Sequence, residues 1–432
     1  MRSTALVLAA VLTLSACAGA GEAPAPGPGG GSGEAAPGVT ADTVVIGTHQ
    51  PLTGPAAPGY ATISAGAKAM YSYINDNGGI HGRTIDYRVE DDGYNPTRTV
   101  EVVKKLVLQD EVFAIVGGLG TPTHSKVVDF LTTEGVPDLL VASGALQWDD
   151  PKSPMTFGFQ VDYTREGKIL GDYIAKNIPN AKVGVFHQND DVGRDGNAGI
   201  EQHAQPVTKQ GYDPANTDVL PQITALKESG ADVVVCMCVP AFTALAILTS
   251  ARIGYQPQFV VSSIGADPRT LTGLLSEFGK RAGAEVSAPA LLEGLIGSGY
   301  LPDINDAADP WTALFQEVHK KYIPDVPLTN TVVYGMAQAY TFGQALKEAG
   351  PELTREKIVA AFESGRLAGP GRTPFGFSAD SHSGYTGAYV FSVNPDGTTK
   401  EIQAPVVTDR ADGPITPAPT ERQSPEDIKL VG

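Results

Sequence analysis

The sequence predicts an α/β protein made of two doubly wound, parallel-sheet lobes, and three observations carry that expectation. Short β-rich runs alternate with segments of helical period, the pattern of strands paired in parallel and covered by helices. The alternation begins afresh after Phe157-Gly158-Phe159-Gln160, as a second lobe of the same construction would require. Finally, 432 residues with 42% hydrophobic and 18% charged side chains supply enough apolar surface for two cores.

In chain order, Val44 to Gly47 reads as the first strand, followed by the loop His49 to Pro55 and an amphipathic helix from Ile63 to Asn75 that Asn77-Gly78-Gly79 stops. Ile85 to Val89 is the second strand and Thr97 to Gln109 the second helix. Val112 to Val116 is a third, fully apolar strand, and Val136 to Val141 a fourth. In the second lobe a helix from Arg165 to Lys176 precedes a strand from Lys182 to Phe186, a polar loop from His187 to Gly196 and a further helix. Strands at Val233 to Cys238 and Phe259 to Val261 follow. Trp311 to Lys320 and Val332 to Lys347 are helices, and Tyr389 to Thr398 is a strand running into an Asn394-Pro395-Asp396-Gly397 turn.

The stretch Val112 to Ser125 is the most informative. Gly117, Gly118 and Gly120 allow a tight turn with bare backbone, after which Thr121 has the chemistry of an N-cap and Pro122 that of a first helical residue. Free amides and hydroxyls at such a turn suit a ligand carboxylate. It is not a dinucleotide fingerprint, because Thr123 stands where the third glycine belongs.

A formal charge of −17 argues against nucleic acid or an anionic membrane surface as the main partner. The apolar run Ala5 to Leu14 is too short for a permanent span and reads as an export signal. Leu14-Ser15-Ala16-Cys17 resembles a lipobox, with lipid expected on Cys17. The expected organisation is therefore a leader over 1–17, a Gly/Pro/Ala tether over 18–41, a first lobe of 42–160 plus 301–378, a second of 161–300 plus 379–404, and a disordered tail over 405–432. Cys236 and Cys238 fall on one strand face, where buried free thiols are expected.

Pro51-Leu52-Thr53-Gly54-Pro55, the run Ile74-Asn75 to Gly79-Ile80-His81-Gly82-Arg83, and Asp91-Asp92-Gly93-Tyr94-Asn95-Pro96 occur in the order and spacing found in solute-binding proteins of branched-chain-amino-acid-type ABC importers. The chain resembles that family from about Thr43 to Ile402. The resemblance implies the type I periplasmic-binding fold, two lobes joined by a three-segment hinge, with crossings near Gln160, Tyr300 and Ser378. It further implies an exported protein, lipid-anchored on the outer face of the cytoplasmic membrane. Such a protein would be a monomer that closes over a small polar or carboxylate-bearing ligand and delivers it to permease subunits.

Carried over by position, the resemblance implies a first-lobe pocket at Leu119, Gly120, Thr121 and Thr123 and at Ser143, Gly144 and Ala145, with Tyr60 beside the ligand. The second-lobe positions depart from the amino-acid binders. Val192 stands where an aromatic is usual, Cys238-Val239-Pro240 follows the next strand, and Ile264-Gly265-Ala266 replaces an acid that would meet an ammonium. Asp190, Asp191 or Asp267 could supply that charge. Phe159, Tyr163 and Trp148 near the hinge leave an aromatic or other small acid open beside an amino acid.

No catalytic spacing, cofactor motif or metal site is expected. Ser143 lacks the first glycine of a nucleophile elbow, and no two of the seven histidines stand at metal-ligand spacing. An exported hydrolase using Ser143 and a sensory receptor reporting to a signalling partner are the alternatives.

Overall fold

The computed structural model describes residues 36–283 and 285–431. The expected leader, Cys17 and the tether as far as residue 35 lie outside the described residues.

The first lobe holds a sheet of five parallel strands: β1 (Thr43–Gln50), β2 (Thr84–Asp91), β3 (Ile115–Val116), β4 (Asp138–Val141) and β5 (Thr156–Gly158), in the order β2-β1-β3-β4-β5. Among them run helices α1 (Ala57–Tyr60), α2 (Ile63–Asp76), α3 (Pro96–Leu108), α4 (Thr121–His124) and α5 (Val128–Thr133). Asn95 caps α3, accepting from the amides of Thr97 and Arg98, with Pro96 at its first turn.

The second lobe begins with α6 (Tyr163–Asn177) and continues through β6 (Val183–Gln188), α7 (Asp191–Ile200), β7 (Thr208–Tyr212), α8 (Leu220–Glu228), β8 (Val233–Met237), α9 (Pro240–Arg252), β9 (Gln258–Val261), α10 (Pro268–Arg281), α11 (Ala288–Leu292) and β10 (Ile296–Gly299). The chain then returns to the first lobe as α12 (Pro310–Tyr322), α13 (Asn330–Ala349) and α14 (Arg355–Glu363), whose apolar faces join the core around Met70, Trp311, Met336 and Tyr340. Close packing of α2 on α13 depends on glycine: a Cβ on Gly335 would stand 1.9 Å from the carbonyl oxygen of Ile63, and one on Gly66 2.1 Å from that of Val332. Finally β11 (Gly387–Val393), β12 (Thr399–Val407) and β13 (Thr416–Pro417) add antiparallel strands to the second sheet, giving the order β13-β12-β11-β10-β9-β8-β6-β7.

Several expectations need correction. The 405–432 segment is not a disordered tail. β12 runs on to Val407, β13 pairs with it, and α15 (Pro425–Ile428) closes with a Ser424/Asp427 capping box. Leu430 is buried in the first-lobe core, and the indole N–H of Trp311 donates to the Gln423 carbonyl at 2.9 Å. The Pro- and acid-rich composition misleads because partners elsewhere in the chain satisfy this segment. The tether also ends earlier than residue 41, since Val39 is buried and bridges to Val44. Cys236 and Cys238 are joined to each other as a disulfide rather than standing as free thiols, their Cα atoms 5.2 Å apart. The helix expected to run on from Thr121 is one turn, α4, capped by Gly120; Thr121 is its first residue. The expected loop from His187 to Gly196 is helical from Asp191, because Asp190 caps α7 through the amide of Val192.

β10 was illegible for a packing reason. Its sequence is Ile-Gly-Ser-Gly, and the rings of Phe391 and Tyr389 on the paired strand lie over Gly297 and Gly299, where a Cβ would come within 2.4 and 2.6 Å of them.

Candidate functional site

The carboxyl ends of both sheets face one another across a cleft of about 920 Å³, its open mouth included. The first lobe contributes Leu119, Gly120, Thr121 and Ala142, delivered by β3, β4 and the glycine turn, in which Leu119 bridges to Ala142. It also contributes Tyr60, Ile63 and Tyr94, and from the start of α13 Asn330, Thr331 and Tyr334. The second lobe contributes Val192, Val239, Pro240, Ser263, Ile264, Ala266, Asp267, Ser298, Tyr389 and Phe391, and Gln160 after β5, Tyr163 at the start of α6 and Tyr300 after β10 complete the lining.

The lobes touch each other beside the cleft. The Tyr60 hydroxyl donates to the Ile264 carbonyl at 3.0 Å, and the Gln188 side-chain amide donates to the Tyr94 hydroxyl at 3.2 Å. Two more tyrosines spend their hydroxyls on protein: Tyr334 donates to Gln160 Oε1 at 3.1 Å and Tyr389 to the Leu301 carbonyl at 3.1 Å. What these residues offer the cleft is therefore mainly ring surface. Burial pushes the hydroxyls of Tyr60, Tyr94 and Tyr334 well above their usual range and that of Tyr163 up to about 12, so all four remain neutral near pH 7.

A periplasmic binding protein family model matches residues 43–398. The chain belongs to that family. Its membership carries an extracytoplasmic setting, and the family is one of binding proteins. A Leu/Ile/Val-binding protein homolog of Brucella melitensis biotype 1 is 30% identical over 202 residues, which is 44% of this chain and 53% of that protein; the match thus spans about half of the relative. A fatty acid ABC transporter substrate-binding protein from Thermomonospora curvata superposes with a TM-score of 0.74 at 21% identity, covering 90% of this chain and 98% of that one. A branched chain amino acid ABC transporter protein from Thermus thermophilus, solved with bound valine, gives 0.72 at 18% identity, covering 85% and 97%. These likenesses fix the type I fold.

In this periplasmic binding protein the residues expected at the site separate into two groups. Tyr60, Leu119, Gly120 and Thr121 line the cleft, as do Tyr163, Asp267 and the second-lobe positions Val192, Val239, Pro240, Ile264 and Ala266. The others stand behind it or away from it. Thr123 turns its hydroxyl back to the Leu119 carbonyl at 2.7 Å. Ser143 is hydrogen-bonded to Thr121 at 2.6 Å and accepts from the Ala145 amide at 3.3 Å, so Ser143, Gly144 and Ala145 brace Thr121 without lining the cleft. Phe159 is a core ring standing edge-on to Tyr334, 5.2 Å between centroids. Asp190 is spent on Val192 and Gln188, and Asp191 on Gln147 and Arg194. Cys238 is held in the disulfide. Gly265 carries no side chain and is required there, because a Cβ would meet the Cys238 carbonyl oxygen at 2.2 Å.

Sequence reasoning missed Tyr94, Gln160, Tyr300, Tyr334, Tyr389 and Phe391. Tyr94 lay within a motif quoted only as a family mark; the two late strand rings and Tyr334 are brought to the cleft by chain returns that no local pattern reveals.

Beneath the glycine turn lies a fully buried chain of side chains: Asp92 to His49 at 2.7 Å, His49 to His124 at 2.9 Å and His124 to Asp138 at 2.8 Å. Gly118 sits on both rings, where a Cβ would come within 2.7 Å of either. The turn that presents Leu119 to Thr121 thus rests on this polar unit.

Glu166, fully buried on α6, accepts from the Ser263 amide and the Ser298 hydroxyl, both at 2.7 Å, while its other oxygen has no partner. Burial raises its pKa, with the serines offsetting part of the effect. A buried acid that keeps its proton longer than the unfolded chain loses stability as pH rises from about 4.5 through its own pKa. Glu166→Gln is expected to remove that decline with rising pH while retaining the fold. A variant whose melting temperature tracked pH as the parent's does would contradict the assignment.

Proposed function

We propose that this protein is the extracytoplasmic solute receptor of an ABC importer. It is held to the membrane by lipid on Cys17, acts as a monomer, and closes its lobes over one small ligand before handing it to permease subunits. The carrying observation is that a single cleft is walled by both lobes, which also hydrogen-bond to each other beside it through Tyr60 and Tyr94. A ligand contacting both walls stabilises the shut state over the open one, which is the thermodynamic requirement for hinge closure.

The hydrolase alternative has no support in the site. Ser143 is bonded to Thr121 and the Ala145 amide, not to an imidazole or carboxylate that could take its proton.

The test is a thermal-shift screen of the purified protein against amino acids, aromatic acids, amines, amides, polyols and nucleosides. A ligand at about a hundred times its Kd adds about 2.7 kcal/mol to stability, a shift easily read. At least one class should raise the melting temperature in a saturable way. Silence across all of them would count against solute reception.

A further inference from the structure

We propose that the cleft takes a ring-bearing amine without a carboxylate, its ring among the tyrosine faces and its nitrogen donating to Oδ1 of Asp267. This rests on reading the cleft as the solute site, and it narrows that reading to one ligand class.

The Ser143 part of the region expected to hold a carboxylate is turned away from the cleft and bonded to its neighbours. Ser143 is committed to Thr121 and to the Ala145 amide, leaving Thr121 as the member of that group at the cleft wall. Among the described residues lining the cleft there is no Lys, Arg or His, and Asp267 is the one charged side chain. A ligand carboxylate would therefore be desolvated with no cation to offset it and with an acid nearby.

Asp267 is built to receive a donor. It is 7% exposed, and its Oδ2 caps α10 by accepting from the Thr270 amide at 3.1 Å and the Thr270 hydroxyl. Oδ1 makes no hydrogen bond of normal geometry; burial raises the pKa of the carboxyl, opposed by the Thr270 hydroxyl and by the nearby amides of Thr270, Arg269 and Asn330. A buried carboxylate oxygen left unpaired is costly, so the site favours a ligand that brings an N–H to it. Around it Tyr60, Tyr94, Tyr334, Tyr389 and Phe391 present rings, surfaces that suit both an aromatic group and an adjacent ammonium. Gln160 is also buried and its Nε2 lacks a partner, which leaves one donor for an oxygen substituent on the ligand.

The experiment is calorimetric titration of the purified protein with four matched probes: 2-phenylethylamine, 2-phenylethanol, phenylacetate and phenylalanine. The amine should bind at least tenfold tighter than either carboxylate. Asp267→Asn, in which Asn still caps α10, should weaken the amine at least tenfold and leave the alcohol within about twofold. A second variant, Gln160→Leu, should weaken the ring-hydroxylated amine by more than it weakens the unsubstituted one. Equal or tighter binding of phenylacetate or phenylalanine, silence of the amine, or an unchanged amine affinity in Asp267→Asn would overturn the proposal. If the amine fails but an aliphatic amino acid or another solute closes the lobes in solution scattering, the ligand class is wrong and the receptor reading stands. If no solute closes them, the receptor reading falls as well.

Discussion

Deleting residues 409–432 is expected to destabilise the protein by at least about 3–5 kcal/mol, the usual cost of stripping partners from a buried charge. Lys168 on α6 is 1% exposed, and its ammonium is held by Asp409 Oδ1 at 2.9 Å and by the carbonyls of Ala411 and Gly413 at 2.6 and 2.7 Å. All three partners lie in the deleted segment. The same deletion removes Arg410, whose guanidinium is bonded to Asp149 and Asp162 where the first and second lobes join. It also removes Leu430 from the first-lobe core. Lys168→Met in the shortened chain should recover part of the loss, because the uncompensated charge is then gone. Denaturant midpoints of the parent, the shortened chain and its Lys168→Met variant measure both effects. A shortened chain as stable as the parent would show that the segment is ornamental.

His124→Leu is expected to cost a comparable amount, about 3–5 kcal/mol, because it leaves His49 and Asp138 buried with their shared partner deleted. Both are fully enclosed, and Asp138 already has one oxygen without a partner. Burial lowers the pKa of His49, opposed by its hydrogen bond to Asp92. The sign follows from linkage: below about 6.5 the unfolded chain binds a proton that native His49 resists, so stability falls as pH drops from that point toward the lowered native pKa. In the parent, acid stability should therefore decline through this window, and His49→Gln should flatten the decline. Since the unit supports Gly118 and the adjoining Leu119 to Thr121 turn, His124→Leu should also weaken ligand binding, which titration against any solute found in the screen would reveal. Unchanged stability would mean that the four groups are not coupled.

The sequence made the first lobe readable because its strands and helices are separated by explicit stops. Asn77-Gly78-Gly79, Asn95-Pro96 and the Gly117 to Gly120 turn each mark a boundary that the structure keeps within a few residues. The cleft's first-lobe wall followed from the same turn. The second lobe was harder, since β7 is polar and β10 is half glycine, its side-chain space taken by rings from a strand about ninety residues later. The tail was misread because its order comes from Lys168, Asp149, Asp162 and Trp311, partners that composition cannot show. Histidine spacing likewise concealed the buried chain, as His49 near the end of β1 meets His124 at the end of α4, which follows the neighbouring strand β3, and no local motif joins them.

Solution X-ray scattering of the protein, free and saturated with a solute that raises its melting temperature, tests the central claim most directly. Ligand-driven closure predicts a smaller radius of gyration for the saturated form, in which the Tyr60–Ile264 and Tyr94–Gln188 contacts hold the lobes together. Superimposable profiles for the free and saturated protein would contradict it.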